Sequence, residues 1–396
     1  MKGKIGMILI LCFVIFALLA NFTVSREDLD NWNNANYWVN NPKLAYPTWL
    51  CPLYKKTPTI EAEVFNGTFV YEHKFRDRPN DILFYIHDGT KIVEIKVIRP
   101  DGRIVIFKGK ARNNIISLNS DMREAIISQL HIPMEKAMLK TSTFLLFSKI
   151  PDLDVLNGRY IFIVSGAEKV KVLGNCYGFL GTDRFGRDMW VGFILGMNNT
   201  LILTALVVGL TLLLGITVGI ASMYSEIINW MLEVLTALPV FPFLLILTWL
   251  IATQGVGYNV RVSPLEFSMI FSLLTFGKFA KTVRMISLKE RAMEYVRASM
   301  AIGGGETWVL KKHIMPKVLE FSIRHVTFLV PRTIALISIF GFFGLSPGIN
   351  WGTYIIEAMN EGALYGGYWW WIIAPIIAMG VISLGFAMLS EELPKS

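Results

Sequence analysis

Four stretches of this chain, residues 5–24, 200–223, 234–252 and 369–389, each run for nineteen residues or more without a charged side chain. A helix of about 20 residues crosses the ~30 Å hydrocarbon layer of a bilayer. Within that layer only the chain itself can bond backbone N–H and C=O groups, so such stretches must be helical. Two weaker spans accompany them. Residues 267–277 are apolar but continue into Lys278, Lys281 and Arg284, and residues 326–345 hold Pro331 and Arg332 near their middle. The pattern predicts an α-helical polytopic membrane protein with six transmembrane helices. The first span follows Lys2 and Lys4 and reads as an uncleaved anchor, with a cleaved signal peptide ending near Ala20 as the alternative.

Charge divides the remainder. Residues 25–190 carry 23 basic and 19 acidic side chains, 42 in 166 positions, whereas the other 230 residues carry 26. That density predicts a water-exposed domain, residues 25–174, inserted between the first two helices. β-Branched and aromatic residues cluster at 69–71, 82–86, 92–98, 104–107 and 159–165, and Arg99-Pro100-Asp101-Gly102 is a hairpin turn signal. Residues 119–148 read as helical. Strand count and spacing suggest an immunoglobulin-like β-sandwich. Three cysteines without a CxxC exclude a disulfide scaffold or a zinc framework. Cys51 and Cys176 both fall in this domain. They would bridge in an oxidising space, closing a long loop worth ~4 kcal/mol, or stand as two separate buried thiols.

From Lys278 to Arg324 the chain carries ten Lys/Arg and four Glu, whereas 253–266 carries one Arg and 346–368 carries no Lys or Arg. The positive-inside rule puts the basic loop and both termini, including the stub 391–396, in the cytoplasm of a cell-membrane protein, with the inserted domain outside. The net charge of +8 is therefore topological. Nucleic-acid binders interleave basic and aromatic residues on one face, and no such run occurs here.

Catalytic motifs are missing from the sequence: it holds no GxxxxGK[ST], HExxH or GxSxG. No catalytic residue, metal ligand or cofactor site is expected, and any ATP hydrolysis would fall to another chain. The informative stretch is 290–316, two amphipathic helices with a glycine break. Small residues Ala298, Ser299 and Ala301 would let the first lie close to another surface. Gly303 would end it, since glycine takes the left-handed conformation readily. Glu306-Thr307-Trp308 would open the second, which Pro316 would interrupt.

This loop resembles the EAA motif of ABC-transporter permease subunits. Arg297-Ala298-Ser299, then Gly303, then His313-Ile314-Met315-Pro316 match its spacing. The chain is similar to the second-permease branch of the oligopeptide/dipeptide type in two further places. Leu180-Gly181-Thr182-Asp183-Arg184-Phe185-Gly186-Arg187-Asp188 matches LGTDxxGRD, and Phe342-Phe343-Gly344-Leu345 with Trp351-Gly352 matches the FLGL…WG segment. The likeness covers 175–396 well and 1–24 loosely, and is silent on 25–174. Arg297 departs from it, standing where the motif has an acid.

The resemblance implies that residues 175–396 form a permease core. Its coupling loop, about 286–318, would dock an ATPase through Arg297, Ala298, Ser299, Gly303, His313 and Pro316. Lys311 and Lys312 would flank that surface or be plain solvated charges. The implied partners are a second homologous permease, two ABC ATPase subunits holding ATP and Mg, an extracytoplasmic solute-binding protein and the bilayer, but no nucleic acid. The solute would be an oligopeptide or an oligosaccharide. Arg332, costly near a bilayer centre, would face either the translocation pathway or an acid of the partner permease. Trp369-Trp370-Trp371 with Tyr365 and Tyr368 would form an interfacial belt or stack on sugars. Thr182 and Asp183 read as helix-capping residues. A secondary transporter, or a membrane-anchored receptor using the outer domain, are the alternative functions.

Overall fold

A computed structural model describes residues 2–87, 92–120, 122–253 and 263–392, the side chains of 251–253 and 392 excepted. Most of the expected outer loop 253–266, with its Arg261, and the end of the stub, 393–396, lie outside the described residues. The chain forms two compact units, Met1–Arg26 with Gly192–Ser396, and Glu27–Val191. Residues 175–191, expected with the membrane part, belong to the second unit.

The Glu27–Val191 unit is built on eight strands: β1 (Ile60–Glu63), β2 (Thr68–His73), β3 (Asp81–Ile86), β4 (Ile92–Ile98), β5 (Ile104–Lys110), β6 (Ile115–Ser117), β7 (Gly158–Val164) and β8 (Ala167–Leu173). They form two antiparallel four-stranded sheets, ordered β1-β8-β3-β6 and β2-β7-β4-β5. Alternation explains the packing. In β5 every second residue, Val105, Phe107 and Gly109, points inward. Inward residues of both sheets, Ile82, Phe84, Ile95, Val97, Val105, Phe162 and Val172 among them, share one core. The Arg99–Gly102 turn joins β4 to β5 as the sequence suggests, Arg99 pairing with Asp101 at 3.2 Å.

One expectation fails here: in an immunoglobulin-like sheet the last strand lies at an edge, whereas β8 is paired on both sides. The run 119–148 is helical as expected, in three short pieces, Arg123–Leu130, Met134–Ala137 and Ser142–Leu146. His131 at φ 54° and Pro133 break it, because neither a left-handed residue nor a proline continues a helix. From the first of these helices Gln129 reaches edge strand β5, donating to Ile106 O at 2.6 Å and accepting from Ile106 N at 2.8 Å. Cys51 and Cys176 are joined by a disulfide across 125 residues, which resolves the two readings of that pair.

The LGTDxxGRD segment is a turn. Thr182 Oγ1 donates to Pro42 O and accepts from Ala45 N. Buried Asp183 accepts from the N–H groups of Phe185 and Arg187, both at 2.9 Å, and from Arg187 Nε at 2.6 Å. The Arg187 guanidinium lies over Trp32, 4.4 Å from the ring centre. Asp183 and Thr182 therefore cap no helix. That place belongs to Asp188, which accepts from Trp190 N at 2.9 Å.

The other unit is helical. Its elements are α1 (Lys2–Asn21), α2 (Met189–Tyr224, begun in the last residues of the Glu27–Val191 unit), α3 (Glu226–Ala237), α4 (Val240–Thr253), α5 (Pro264–Arg291), α6 (Glu294–Ala301), α7 (Glu306–Phe342), α8 (Trp351–Asn360) and α9 (Trp369–Glu392). Among the described residues α1, α2, α7 and α9 are long and apolar enough to cross a membrane. A fifth span is possible if α3 and α4, bent by 87° between Ala237 and Val240, are counted as one. The six expected spans are thus not all found. Pro239 breaks the third apolar run, and α5 carries too many charges at its Arg291 end. Pro316 interrupts nothing: a π turn at Leu310–Ile314 precedes it, and the helix continues from Met315 to Phe342.

Helix ends are knotted in pairs. Lys2 and Glu391 pair at 2.9 Å, which sets α1 and α9 antiparallel. The crossing is close: a Cβ on Gly6 would lie 2.6 Å from Gly385 O. At the far end of α1, Asn21 and Asn198 exchange side-chain hydrogen bonds of 3.1 and 2.6 Å. Nearby, fully buried Asn350 caps α8, accepting from Gly352 N and Thr353 N and donating to Ser346 Oγ at 2.6 Å. Thr200 of α2 accepts from Trp351 N at 3.1 Å, and Asn199 donates to Ile349 O at 2.7 Å. Trp351 is wholly buried between Phe13 and Phe193, and a Cβ on Gly352 would lie 1.7 Å from Ser338 O. Packing thus accounts for the Trp351-Gly352 pair. Trp371 is likewise buried, stacked on Tyr368 at 4.5 Å.

Two outcomes are expected. Gly352→Ala should destabilise the protein by about 2 kcal/mol or more, because backbone must move; Gly209→Ala, where nothing lies within 4 Å of the new Cβ, should stay within about 1 kcal/mol. Thermal unfolding in detergent compares them. Burial raises the Asp188 pKa from 3.8 to about 6, with Asp28 adding repulsion and the Trp190 N–H opposing. Its folded-state pKa lies above the unfolded one, so its favourable contribution is present below about pH 4 and lost as pH rises through 6. Asp188→Asn should therefore stabilise the protein by an order of 2–3 kcal/mol at pH 8 and by little at pH 4, in unfolding curves at the two pH values.

Candidate functional site

The loop singled out by the sequence folds onto the ends of three long helices. Helix α6 turns only Val296 and Ser299 inward. Val296 joins Val309, Ile314 and Val318 of α7, Val283 and Phe279 of α5, and Ile220 of α2 in one apolar cluster. The opposite face is open: Arg297, Ala298 and Met300 are exposed. The small residues divide accordingly, Ser299 packing inward while Ala298 and Ala301 look out. A shallow pocket of about 340 Å³ lies between the end of α5 and this face, lined by Leu288, Arg291, Ala292, Arg297 and Met300.

Beyond α6, Ile302 is 87% exposed and Gly303 takes φ +102°, a conformation that glycine adopts without strain. Gly304 N then donates to Ser299 O at 3.0 Å, so the chain doubles back tightly. Glu306 starts α7 and pairs with Arg291 of α5. His313 lies on the π turn, edge-on to Tyr295 at 5.4 Å and to Trp308 at 5.1 Å, its Nε2 buried without a partner. Tyr295 Oη donates to Glu290. Lys311, Lys312 and Pro316 are exposed.

Arg297, Ala298, Ser299, Gly303, His313 and Pro316 are therefore brought together at one end of the helical unit. Arg332 is not with them. It stands sixteen residues beyond Pro316 on α7, roughly 24 Å along the axis, and is exposed, with no ion pair among the described residues. Cys51 and Cys176 lie in the sheet-bearing unit. Among the described residues no group of three His, Cys, Asp or Glu side chains is placed to hold a metal ion. Sequence reasoning opened the second helix at Glu306 but missed its pairing with Arg291 and Tyr224, because spacing along the chain does not show which helix ends meet.

No protein-family model matches the chain. It is similar to a Brucella suis protein assigned as the permease of a peptide transport system, 26% identical over 219 residues, 54% of this chain and 70% of that one. The oligopeptide transport system permease protein AmiD of Streptococcus pneumoniae is 25% identical over 224 residues, 55% of this chain and 70% of that one. The dipeptide transport system permease protein DppC of Bacillus subtilis is 25% identical over 222 residues, 54% and 66% respectively. Among solved structures, inward-facing conformations of the MetNI methionine ABC transporter overlap 50% of this chain and 95% of that chain. That overlap has a TM-score of 0.40 at 14% identity, too loose to fix a shared helix arrangement. The chain's curated homologues are permease proteins of peptide ABC transport systems, non-catalytic membrane components, at modest identity over about half its length.

Proposed function

We propose that this chain is the transmembrane permease subunit of an ATP-driven importer, that α6 and the following turn dock a partner ATPase, and that the solute is a peptide. The observation that carries the reading is α6 itself. It is a short helix anchored by one apolar face to α2, α5 and α7, with its other face free, on a segment whose spacing matches the EAA motif. A helix so mounted is suited to receive a push from a soluble partner. The relatives favour peptides over oligosaccharides as the solute.

The rest follows as one mechanism. A second permease pairs with this one around a pathway, and two ATPase subunits hold ATP and Mg on the cytoplasmic side. Closure of the ATPases moves α6, and the helices above it switch between inward- and outward-open states. Six crossings require that α5 and the bent α3–α4 pair also enter the bilayer. The basic loop and both termini are then cytoplasmic, in keeping with the pairing of Lys2 with Glu391 and the α1–α2 connection at the opposite end. Arg332, exposed on α7, meets either the solute or an acid of the second permease. The Glu27–Val191 unit receives the solute-binding protein.

The test is co-purification of the detergent-solubilised chain with its genomic neighbours. Wild type should bring down an ATPase, and Arg297→Glu, a change on the open face that leaves the core intact, should lose it. Gly303→Asp should lose it too, because an aspartate at φ +102° displaces α6. Should wild type capture no ATPase, the permease reading falls, and uptake driven by a proton gradient, or a receptor function, takes its place. Deleting the outer unit should leave the membrane complex assembled and weaken labelled-peptide uptake at low binding-protein concentration; unchanged uptake would remove that unit from solute delivery.

A further inference from the structure

Three helix ends meet beside α6 at residues outside its open face, one of which, Arg291, also lines the shallow pocket next to that face. Arg291, the last residue of α5, forms an ion pair with Glu306, the first of α7. Glu306 also accepts a hydrogen bond of 3.3 Å from Tyr224 Oη, the last residue of α2. The Arg291 guanidinium lies over the Tyr224 ring, 5.3 Å from its centre. One acid, one base and one ring therefore clasp α2, α5 and α7 together.

This clasp is poorly suited to be a stabilising device. The Arg291 and Glu306 side chains are 32% and 49% exposed, and ion pairs at such exposure add little to folding stability. What it does is fix three helix ends relative to one another. The covalent path from α6 to α7 runs through Gly303, Gly304 and Gly305, which offer no side chain to resist bending. A displacement of α6 would be absorbed there unless something spans the gap. The Arg291–Glu306 pair spans it, joining the residue three before α6 to the residue five after it. The π turn at Leu310–Ile314 begins four residues further on, and a turn of that kind marks a place where helix winding can change.

We propose that Tyr224, Arg291 and Glu306 are positioning residues that make α6 and the ends of α2, α5 and α7 move as one body. The push of a docked ATPase then reaches the membrane helices instead of being lost in the glycine run. The proposal rests on the docking reading above and adds to it the route by which docking becomes movement.

The experiment uses the whole transporter, this chain purified with its partner subunits and placed in liposomes. Wild type is compared with Glu306→Gln, with Arg291→Gln and with the charge swap of Arg291→Glu plus Glu306→Arg. Readouts are ATPase co-purification, basal ATP hydrolysis, and hydrolysis stimulated by the loaded binding protein. Both single variants should retain the ATPase and its basal rate but lose stimulation about fivefold or more, the low end of ordinary coupling between sites. The charge swap should restore most of it. Stimulation that survives both single variants overturns the proposal. Loss of ATPase co-purification in them also overturns it, by making the pair part of the docking surface. A wild-type chain that captures no ATPase defeats the docking reading and the clasp with it, whereas the other failures leave docking intact.

Discussion

A buried amide, Asn350, holds the helical unit in register. In an apolar interior an unpaired polar group is expensive, so its partners are fixed with little tolerance. Asn350 satisfies the first turn of α8 and binds Ser346, while the adjoining backbone bonds Thr200 and Asn199 of α2. A Cβ on Gly341 of α7 would lie 2.0 Å from its Oδ1. These contacts leave one way to bring α2, α7 and α8 together, and Trp351 fills the space that results. At the other end of α2 and α7 the contacts change character: the cluster under α6 is apolar, Val and Ile around Phe279, and the Arg291–Glu306 pair beside it is partly exposed. One end is cross-linked by buried hydrogen bonds; the other is packed by groups that slide.

Much of this was legible in the chain. Alternation located five of the eight strands, β2 to β5 and β7, because a half-buried sheet forces period two on its side chains, and turn residues located Arg99–Gly102; β1, β6 and β8 went unread. Uncharged runs located α1, α2 and α9. The spacing around Gly303 located α6, since the end of a short helix needs a residue that accepts positive φ. What failed was whatever depends on distant partners. Strand order was invisible, because β1 and β8 meet only after more than a hundred residues. The bend at Pro239 hid inside an apolar run that composition alone treats as one span. Pro316 read as a breaker because a π turn, which rearranges the hydrogen bonds ahead of it, leaves no mark in hydropathy.

The motifs fared differently from one another. LGTDxxGRD reads as a helix-capping segment, yet Thr182, Asp183 and Arg187 spend their polar groups on Pro42, Ala45, neighbouring backbone and each other. Trp351-Gly352 is likewise a packing solution. The loop around α6 instead turns Arg297, Ala298 and Met300 outward from a firm base. That contrast separates residues that make the fold from residues left available for a partner, and spacing alone could not draw it.

Gln129 has a consequence for how the sheet-bearing unit behaves among its copies. Strand β5 ends its sheet and shows Ile104 and Ile106 on its outer side, the kind of edge that recruits a strand from another molecule. The amide of Gln129 occupies both the N–H and the C=O of Ile106, imitating the neighbour that a foreign strand would be. An intruding chain must first evict it, and at that residue finds no open rung to start from. In the folded unit a single side chain thus closes one rung of that edge to strand addition.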